Sequence, residues 1–250
     1  MIDAEDLLAK LSPNQRINYD QILRKMIASW QEEGVRPNIL VHSCCGPCST
    51  YVLEFLSQYA NLTVYYTNSN IHPRIEYERR KAVQEQFIRD FNRDYGRDVH
   101  FLAAPYRPTD WFTCVKGLEK EPEGGRRCSA CFNMRLDLAA KKAKELHCNY
   151  FASTLTISPH KNSQVINRIG LMLQKTDRMQ WLPSDFKKRG GYQRSIELCR
   201  RYHVYRQCYC GCVFAAMQQG VDLLKVVREA KAALNESKES VQSEKEGSGR

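Results

Sequence analysis

The chain has 250 residues, 26% charged and 42% hydrophobic, with a formal net charge of +10. This is the composition of a soluble globular protein with one sizeable core. The acidic start, with Asp3, Glu5 and Asp6, argues against a secretion signal, and no apolar run is long enough to span a bilayer, so a cytoplasmic, reducing compartment is expected.

In chain order, residues 14–33 predict a helix with Ile17, Ile22, Leu23, Met26 and Ile27 apolar and Gly34 closing it. Residues 38–42 are a short apolar run suited to a buried parallel strand. Cys44-Cys45-Gly46-Pro47-Cys48 follows at once. Helical periodicity returns over 49–59, a second strand is expected at 62–66, and a long helix at 73–95 carries Val83, Phe87, Ile88 and Phe91 along one face. A third strand is expected at 99–103. After an irregular stretch with Trp111 and a Gly124-Gly125 turn come a helix at 128–146 and a strand at 150–155, then a helix at 160–174 and a fifth strand at 179–182. Strands alternating with such helices predict a three-layer α/β domain whose mainly parallel sheet is covered on both faces. The Ser-, Glu-, Lys- and Gly-rich end predicts a disordered tail over 235–250, leaving a single domain over 1–234 with its core at about 38–216.

Seven of the eleven cysteines fall in three tight groups: Cys44, Cys45 and Cys48; Cys128 and Cys131; and Cys210 and Cys212, with Cys208 just ahead of the last. In a reducing compartment such groups are more often metal ligands or reactive thiols than structural disulfides, and an odd total argues the same way. Ligands of open α/β sheets bind beyond the carboxyl ends of strands. Cys44 and Cys45 lie at such an end, where Gly46 permits close backbone approach and Pro47 can open the next helix. Cys128 and Cys131, at i and i+3 at a helix start, project from one face near a terminus that favours thiolate. A C-x-x-C alone suits zinc, a thioredoxin-like pair or half an iron–sulfur site. With Cys44 and Cys45 it makes four thiolates, enough for a 4Fe–4S cluster, with a four-cysteine zinc site as the competing reading. Cys48 could add a further ligand. Cys210-Gly211-Cys212 is too tight for a zinc knuckle. It can close a strained, easily reduced disulfide, or take a second metal. Cys114, Cys148 and Cys199 stand alone and read as core fillers.

Residues 187–206 hold seven Lys or Arg against one acid, Glu197. Lys187, Lys188, Arg189, Tyr192, Arg194, Arg200 and Arg201 are candidate RNA contacts, with arginine on phosphate and flat side chains on splayed bases. A solvated basic helix face is the plainer alternative. The overall positive charge also suits a nucleic-acid partner.

Five segments together carry a family resemblance: His42-Ser43-Cys44-Cys45-Gly46-Pro47-Cys48, Asn68-Ser69-Asn70-Ile71-His72-Pro73, Arg127-Cys128-Ser129-Ala130-Cys131, Ser158-Pro159-His160-Lys161-Asn162, and Gly191-Tyr192-Gln193-Arg194-Ser195 running on to Tyr205-Arg206-Gln207-Cys208-Tyr209-Cys210-Gly211-Cys212. Over about residues 38–216 the chain resembles the QueH-type epoxyqueuosine reductases. The resemblance implies a nucleotide α-hydrolase-like (PP-loop/HUP-related) fold with a C-terminal helical, cysteine-bearing extension. It implies removal of the epoxide oxygen of epoxyqueuosine in tRNA, the last step of queuosine formation. It also implies a 4Fe–4S cluster on Cys44, Cys45, Cys128 and Cys131, and a redox-active pair at Cys210 and Cys212, beside which a second, mononuclear iron could sit. The partners would be the tRNA anticodon arm and an external electron donor. Two departures stand out: His160 occupies a position often aromatic in the family, and Cys208 is an extra thiol.

Turning an epoxide into an alkene takes two electrons and two protons, and the poor alkoxide leaving group needs an acid or a Lewis-acidic metal. Asp185, His160 and Asp110, in loops expected near strand ends, are the candidate proton donors. Two rival readings remain. An ATP-dependent, thiolase-like tRNA-modifying enzyme of the same fold would need a Ser-Gly-Gly-x-Asp-Ser-like phosphate loop, which the segment from His42 to Pro47 is not. A zinc-dependent RNA-binding module would need no redox chemistry.

Overall fold

Asn38-Ile39-Leu40-Val41-His42 has apolar side chains pointing both ways, and such a strand is stable only when both of its faces are covered. In the computed structural model, which describes residues 4–9 and 17–247, this run is the central strand β1 (Asn38–His42). It pairs with β2 (Asn61–Tyr66) on one side and β4 (Tyr150–Ser153) on the other. β3 (His100–Ala103) lies outside β2 and β5 (Gln180–Trp181) outside β4, so the sheet order is β3-β2-β1-β4-β5 and every pairing is parallel.

The period-two alternation of β1 divides the core. Ile39 and Val41 pack with Leu23 and Met26 of α2 (Tyr19–Glu32), Val52 and Leu53 of α3 (Gly46–Leu56), and Phe87 and Phe91 of α4 (Arg74–Tyr95). Leu40 faces the other way, into a core with Leu136 and Ala140 of α6 (Arg126–Glu145), Ile166 of α7 (Ser163–Asp177) and Trp181. The three-layer α/β expectation is met. The remaining elements are α1 (Ala4–Leu8), α5 (Pro108–Cys114), a single 3-10 turn at Thr154–Ile157, α8 (Gly191–Arg201), α9 (Val213–Gln218) and α10 (Leu223–Gly247). No described helix is long and apolar enough to cross a membrane.

Several boundaries differ from the periodicity for local reasons. α2 begins at Tyr19 because the Asn18 side chain accepts from Gln21 N; the expected start at residues 14–16 lies outside the described residues. α3 begins inside the cysteine loop, with Cys45 as its cap and Pro47 in its first turn. The strand expected over 150–155 stops at Ser153, whose hydroxyl accepts from Leu155 N at 3.2 Å and turns the chain. The helix expected from residue 160 starts at Ser163, where Asn162 Oδ1 accepts from Gln164 N at 2.9 Å. α5 occupies a stretch that reads as irregular, and α10 runs on through the segment whose composition predicts a tail.

Strand order reverses between β1 and β4, and a crevice opens beyond the carboxyl ends of strands at such a switch point. Cys44 follows β1 and Thr154 follows β4, with Cys44 N 3.5 Å from Thr154 Oγ1. The first cysteine group therefore sits in that crevice.

Candidate metal–thiolate site

The turn from β1 into α3 places Cys44 and Cys45 side by side, and the first turn of α3 brings Cys48 back beneath them. The Cys44 and Cys45 sulfurs are 3.6 Å apart, and all three sulfurs lie within 4.8 Å of one another. Cys48, expected only as an extra ligand, thus belongs to the tightest sulfur group among the described residues. Hydrogen bonds from Cys45 and Cys48 hold the Cys44 thiol well below its ordinary range, while the same sharing pushes Cys45 and Cys48 up. One anion shared by three sulfurs at a helix N-terminus is a ready metal-binding state.

The loop is braced from α4. Gln84 Oε1 accepts from Ser43 Oγ at 2.7 Å and from Ser49 Oγ at 2.8 Å, and Asn68 Nδ2 donates to Ser43 O at 2.8 Å. Two further buried residues of α4, Glu76 and Arg80, continue this stripe at helical spacing. Arg80 Nε meets Glu76 Oε1 at 2.7 Å, and its other nitrogens donate to Cys210 O at 3.0 Å and Tyr209 O at 3.2 Å. One face of α4 thereby holds both the first and the last cysteine segments. The close approach of the latter requires Gly211: its φ is +118°, and a Cβ there would lie 2.8 Å from Ile71 Cγ1.

Cys128 and Cys131 project from the first turns of α6. Each predicted cluster thiol has a donor directed at its sulfur. Gln207 Nε2 lies 3.0 Å from Cys45 Sγ, Gly124 N lies 3.2 Å from Cys128 Sγ, and Thr154 Oγ1 lies 3.7 Å from Cys44 Sγ. Trp111 and Arg135 are directed at Cys131. Burial pushes Cys128 up to about 11 and raises Cys131, the latter opposed by Arg135. A set of buried and part-buried sulfurs ringed by N–H and O–H donors suits an anionic metal–sulfur centre, whose potential such bonds tune. Cys210 acts electrostatically on Cys128, Cys131, Arg135 and Lys161, which ties the third cysteine segment to the other two. Its neighbour Cys212 is buried against Trp111 and Cys131 as the cap of α9. All eleven cysteines are free thiols.

A cavity of about 310 Å³ opens against this group, with Cys48, Cys208, Cys210, His160, Lys161 and Tyr192 in its wall. A second, more open hollow of about 620 Å³ shares His160 and Lys161 with it and adds Asp185, Lys187 and Lys188. Lys161 is half-buried at their junction; burial opposes its charge, but the thiols of Cys210, Cys44, Cys48 and Cys45 outweigh that and raise it.

Of the predicted proton donors, His160 lines the cavity. Asp185 lies in the adjoining hollow with its oxygens engaged by Lys187 Nζ at 2.6 Å and Ser163 Oγ at 3.1 Å. Asp110 is exposed on α5 and is not in the cavity wall. The basic stretch is divided. Arg189 pairs with Asp20 at 2.9 Å, Arg194 with Glu54 at 2.7 Å and Arg201 with Asp94 at 3.4 Å, whereas Lys188 and Arg200 are exposed and have no ion pair among the described residues. Cys199 takes a core position, as expected, Cys148 packs part-buried against the core, and Cys114 sits part-buried with its thiol donating to Ala130 O. Arg135, Glu76, Arg80 and Gln84 were not foreseen from the sequence, and Lys161 and Gln207 stood within motifs without a role. The i, i+4, i+8 spacing of the α4 polar residues was the available signal.

The family model described as "Epoxyqueuosine reductase QueH" matches residues 39–218. Proteins of that name are similar over nearly the whole chain. The one from Streptococcus pyogenes serotype M1 is 56% identical over 232 residues, 93% of this chain and 91% of that protein. The one from Staphylococcus aureus is 56% identical over 238 residues, 94% of this chain and 99% of that protein. A solved structure, U34-tRNA thiolase NcsA from Methanococcus maripaludis with its 4Fe-4S cluster, overlaps 88% of this chain and 78% of its own at 12% identity and a TM-score of 0.44, a level with no bearing on the assignment. A match covering the crevice, both thiol-bearing helix starts and the Arg80-held loop, at such identity, decides the matter: the chain belongs to the QueH family of epoxyqueuosine reductases.

Proposed function

We infer that the protein is an iron–sulfur oxidoreductase that removes the epoxide oxygen of epoxyqueuosine in tRNA, leaving queuosine. What supports the iron–sulfur part is the tight sulfur group of Cys44, Cys45 and Cys48 in the crevice, with Cys128 packed against the same core cluster and Cys131 and Cys44 both acting on Arg135. Cys44, Cys45, Cys128 and Cys131 would hold a 4Fe–4S cluster, and such a cluster supplies electrons one at a time. Cys48 and Cys210 line the cavity and would present thiols to a bound substrate.

The reaction balances on the chain's own groups. Two C–O bonds break, an alkene forms, and the oxygen leaves as water after gaining two electrons and two protons. Oxidation of Cys210 and Cys212 from two thiols to a disulfide releases that same complement, and an external electron donor restores the thiols. As the first C–O bond breaks, negative charge grows on the oxygen, and the Lys161 ammonium in the cavity wall stabilises it. His160, beside it, is the proton donor of the three predicted that lines this cavity. Asp185 instead holds Lys187 and Ser163 in the wall of the adjoining hollow. The tRNA anticodon arm would cross that hollow over Lys187 and Lys188, with its modified base entering past Tyr192.

Iron, acid-labile sulfide and zinc measured in anaerobically purified protein test this reading. About one 4Fe–4S cluster per chain is expected. Cys45→Ala and Cys131→Ala should lose the visible absorption and Cys148→Ala should keep it. Cys212→Ser should retain iron yet fail to convert epoxyqueuosine-containing tRNA, read by nucleoside mass spectrometry. Stoichiometric zinc without iron sinks the cluster, and full turnover by Cys212→Ser sinks the thiol pair.

A further inference from the structure

Three arginines are almost completely buried: Arg80, Arg127 and Arg135, each 2% exposed or less. Arg80 has its acid, Glu76. Arg127 has no carboxylate but donates to three acceptors, the carbonyls of Glu119 and Glu121 and Gln218 Oε1. Arg135 has neither provision. Its one oxygen acceptor is Asn68 Oδ1 at 2.6 Å, its other partner is the Cys131 thiol, its Nε has no hydrogen-bond partner, and no carboxylate pairs with it among the described residues. A guanidinium does not lose its proton in a protein, and burying it without countercharge is strongly unfavourable. The negative charge must therefore come from a group other than an acid.

The surroundings of Arg135 identify that group. It lies one helical turn beyond Cys131 on α6. Asn68, its oxygen acceptor, also donates to Ser43 O, the carbonyl immediately before Cys44, so one amide links the guanidinium to the cysteine loop. Burial works against its charge, while Cys131, Cys44 and Cys210 support it. Thiols of all three cysteine segments thus act electrostatically on one buried cation.

The geometry points to Arg135 as the buried countercharge of the thiolate centre: a positioning residue that never meets substrate but sets the net charge of the centre and hence the potential at which it takes an electron. The inference rests on the iron–sulfur reading above. Reduction adds negative charge to the centre, and a fixed cation nearby favours the reduced form more than the oxidised one. Loss of the cation lowers the reduction potential; keeping a cation there preserves it.

The test is an anaerobic potentiometric titration of the cluster in the holoprotein, with iron and sulfide content measured alongside, for the wild type, Arg135→Met and Arg135→Lys. Arg135→Met, similar in length and neutral, should titrate at a clearly lower potential or fail to retain iron. Arg135→Lys should keep wild-type iron and a potential near that of the wild type. A fully loaded Arg135→Met at the wild-type potential would overturn the inference. So would Arg135→Lys behaving like Arg135→Met in either measurement, since shape rather than charge would then be what matters. Wild-type protein without iron would instead remove the iron–sulfur reading, and this inference with it.

Discussion

Replacing Arg80 with methionine separates the last cysteine segment from its support while keeping most of the side-chain volume. Arg80 and Glu76 are 1% and 0% exposed, so removing the guanidinium strands a carboxylate out of water, and breaking a buried pair in this way costs about 3–5 kcal/mol. Glu76 Oε1 would keep only the Tyr205 hydroxyl at 3.2 Å, and the carbonyls of Tyr209 and Cys210 would lose their donor. For a chain of this size the cost amounts to a fall in Tm of about 6–20 °C. Urea denaturation should show it as a lower midpoint at unchanged m. Arg80→Met combined with Glu76→Leu should recover most of the loss, because removing both charges also removes the desolvated carboxylate. With the 208–212 segment released, epoxide reduction should fall more than iron content does. A cost below about 1 kcal/mol, or a double variant as unstable as the single, would refute the claim that a charge pair holds this loop.

The pattern of alternation was sufficient for the sheet. Ile39, Leu40 and Val41 can all be apolar only in a strand covered on both faces, and the helices between strands leave a parallel sheet as the consistent arrangement. The cysteine loop was equally legible, since a strand ending in Cys44-Cys45 and a helix opening with Pro47 place sulfurs at a switch point from local rules alone. What was not legible depends on contacts far apart in the chain. The α4 pattern of Val83, Phe87, Ile88 and Phe91 describes the half of the helix in the apolar core, while Glu76, Arg80 and Gln84 continue the same face into a polar core whose partners lie up to 130 residues away. Charge density left the arginines' own partners unseen for a related reason. Arg189, Arg194 and Arg201 look like RNA contacts in a one-dimensional count, yet each meets an acid from another element, Asp20, Glu54 or Asp94. Asp110, chosen for its loop position, falls on the exposed side of a helix that periodicity did not reveal.

Two further outcomes follow from the same contacts. Burial tends to raise the Glu54 carboxyl, but hydrogen bonds from Arg194 and Tyr95 prevail and hold it below its ordinary 4.5. The clamp between α3 and α8 should therefore contribute fully above about pH 4.5 and be lost as pH falls through the depressed value. The stability difference between wild type and Glu54→Gln should be flat near neutrality and shrink in acid; a difference that grows as pH falls would refute the sign. The second concerns tRNA. Lys188 and Arg200 are exposed and without ion pairs among the described residues, so substituting them leaves no buried acid stranded and should cost little stability. If each neutralises one phosphate, Lys188→Ala with Arg200→Ala should flatten the slope of log affinity against log salt by about 1.4–1.8. Iron content and urea midpoint should not move. Arg194→Ala should do the reverse, lowering stability through the lost Glu54 pair while leaving the salt slope nearly intact. Binding measured from low to moderate salt separates the two surfaces: an unchanged slope in the Lys188/Arg200 variant, or a flattened one in Arg194→Ala, would show that ion pairing within the fold does not decide which of these cations reach RNA.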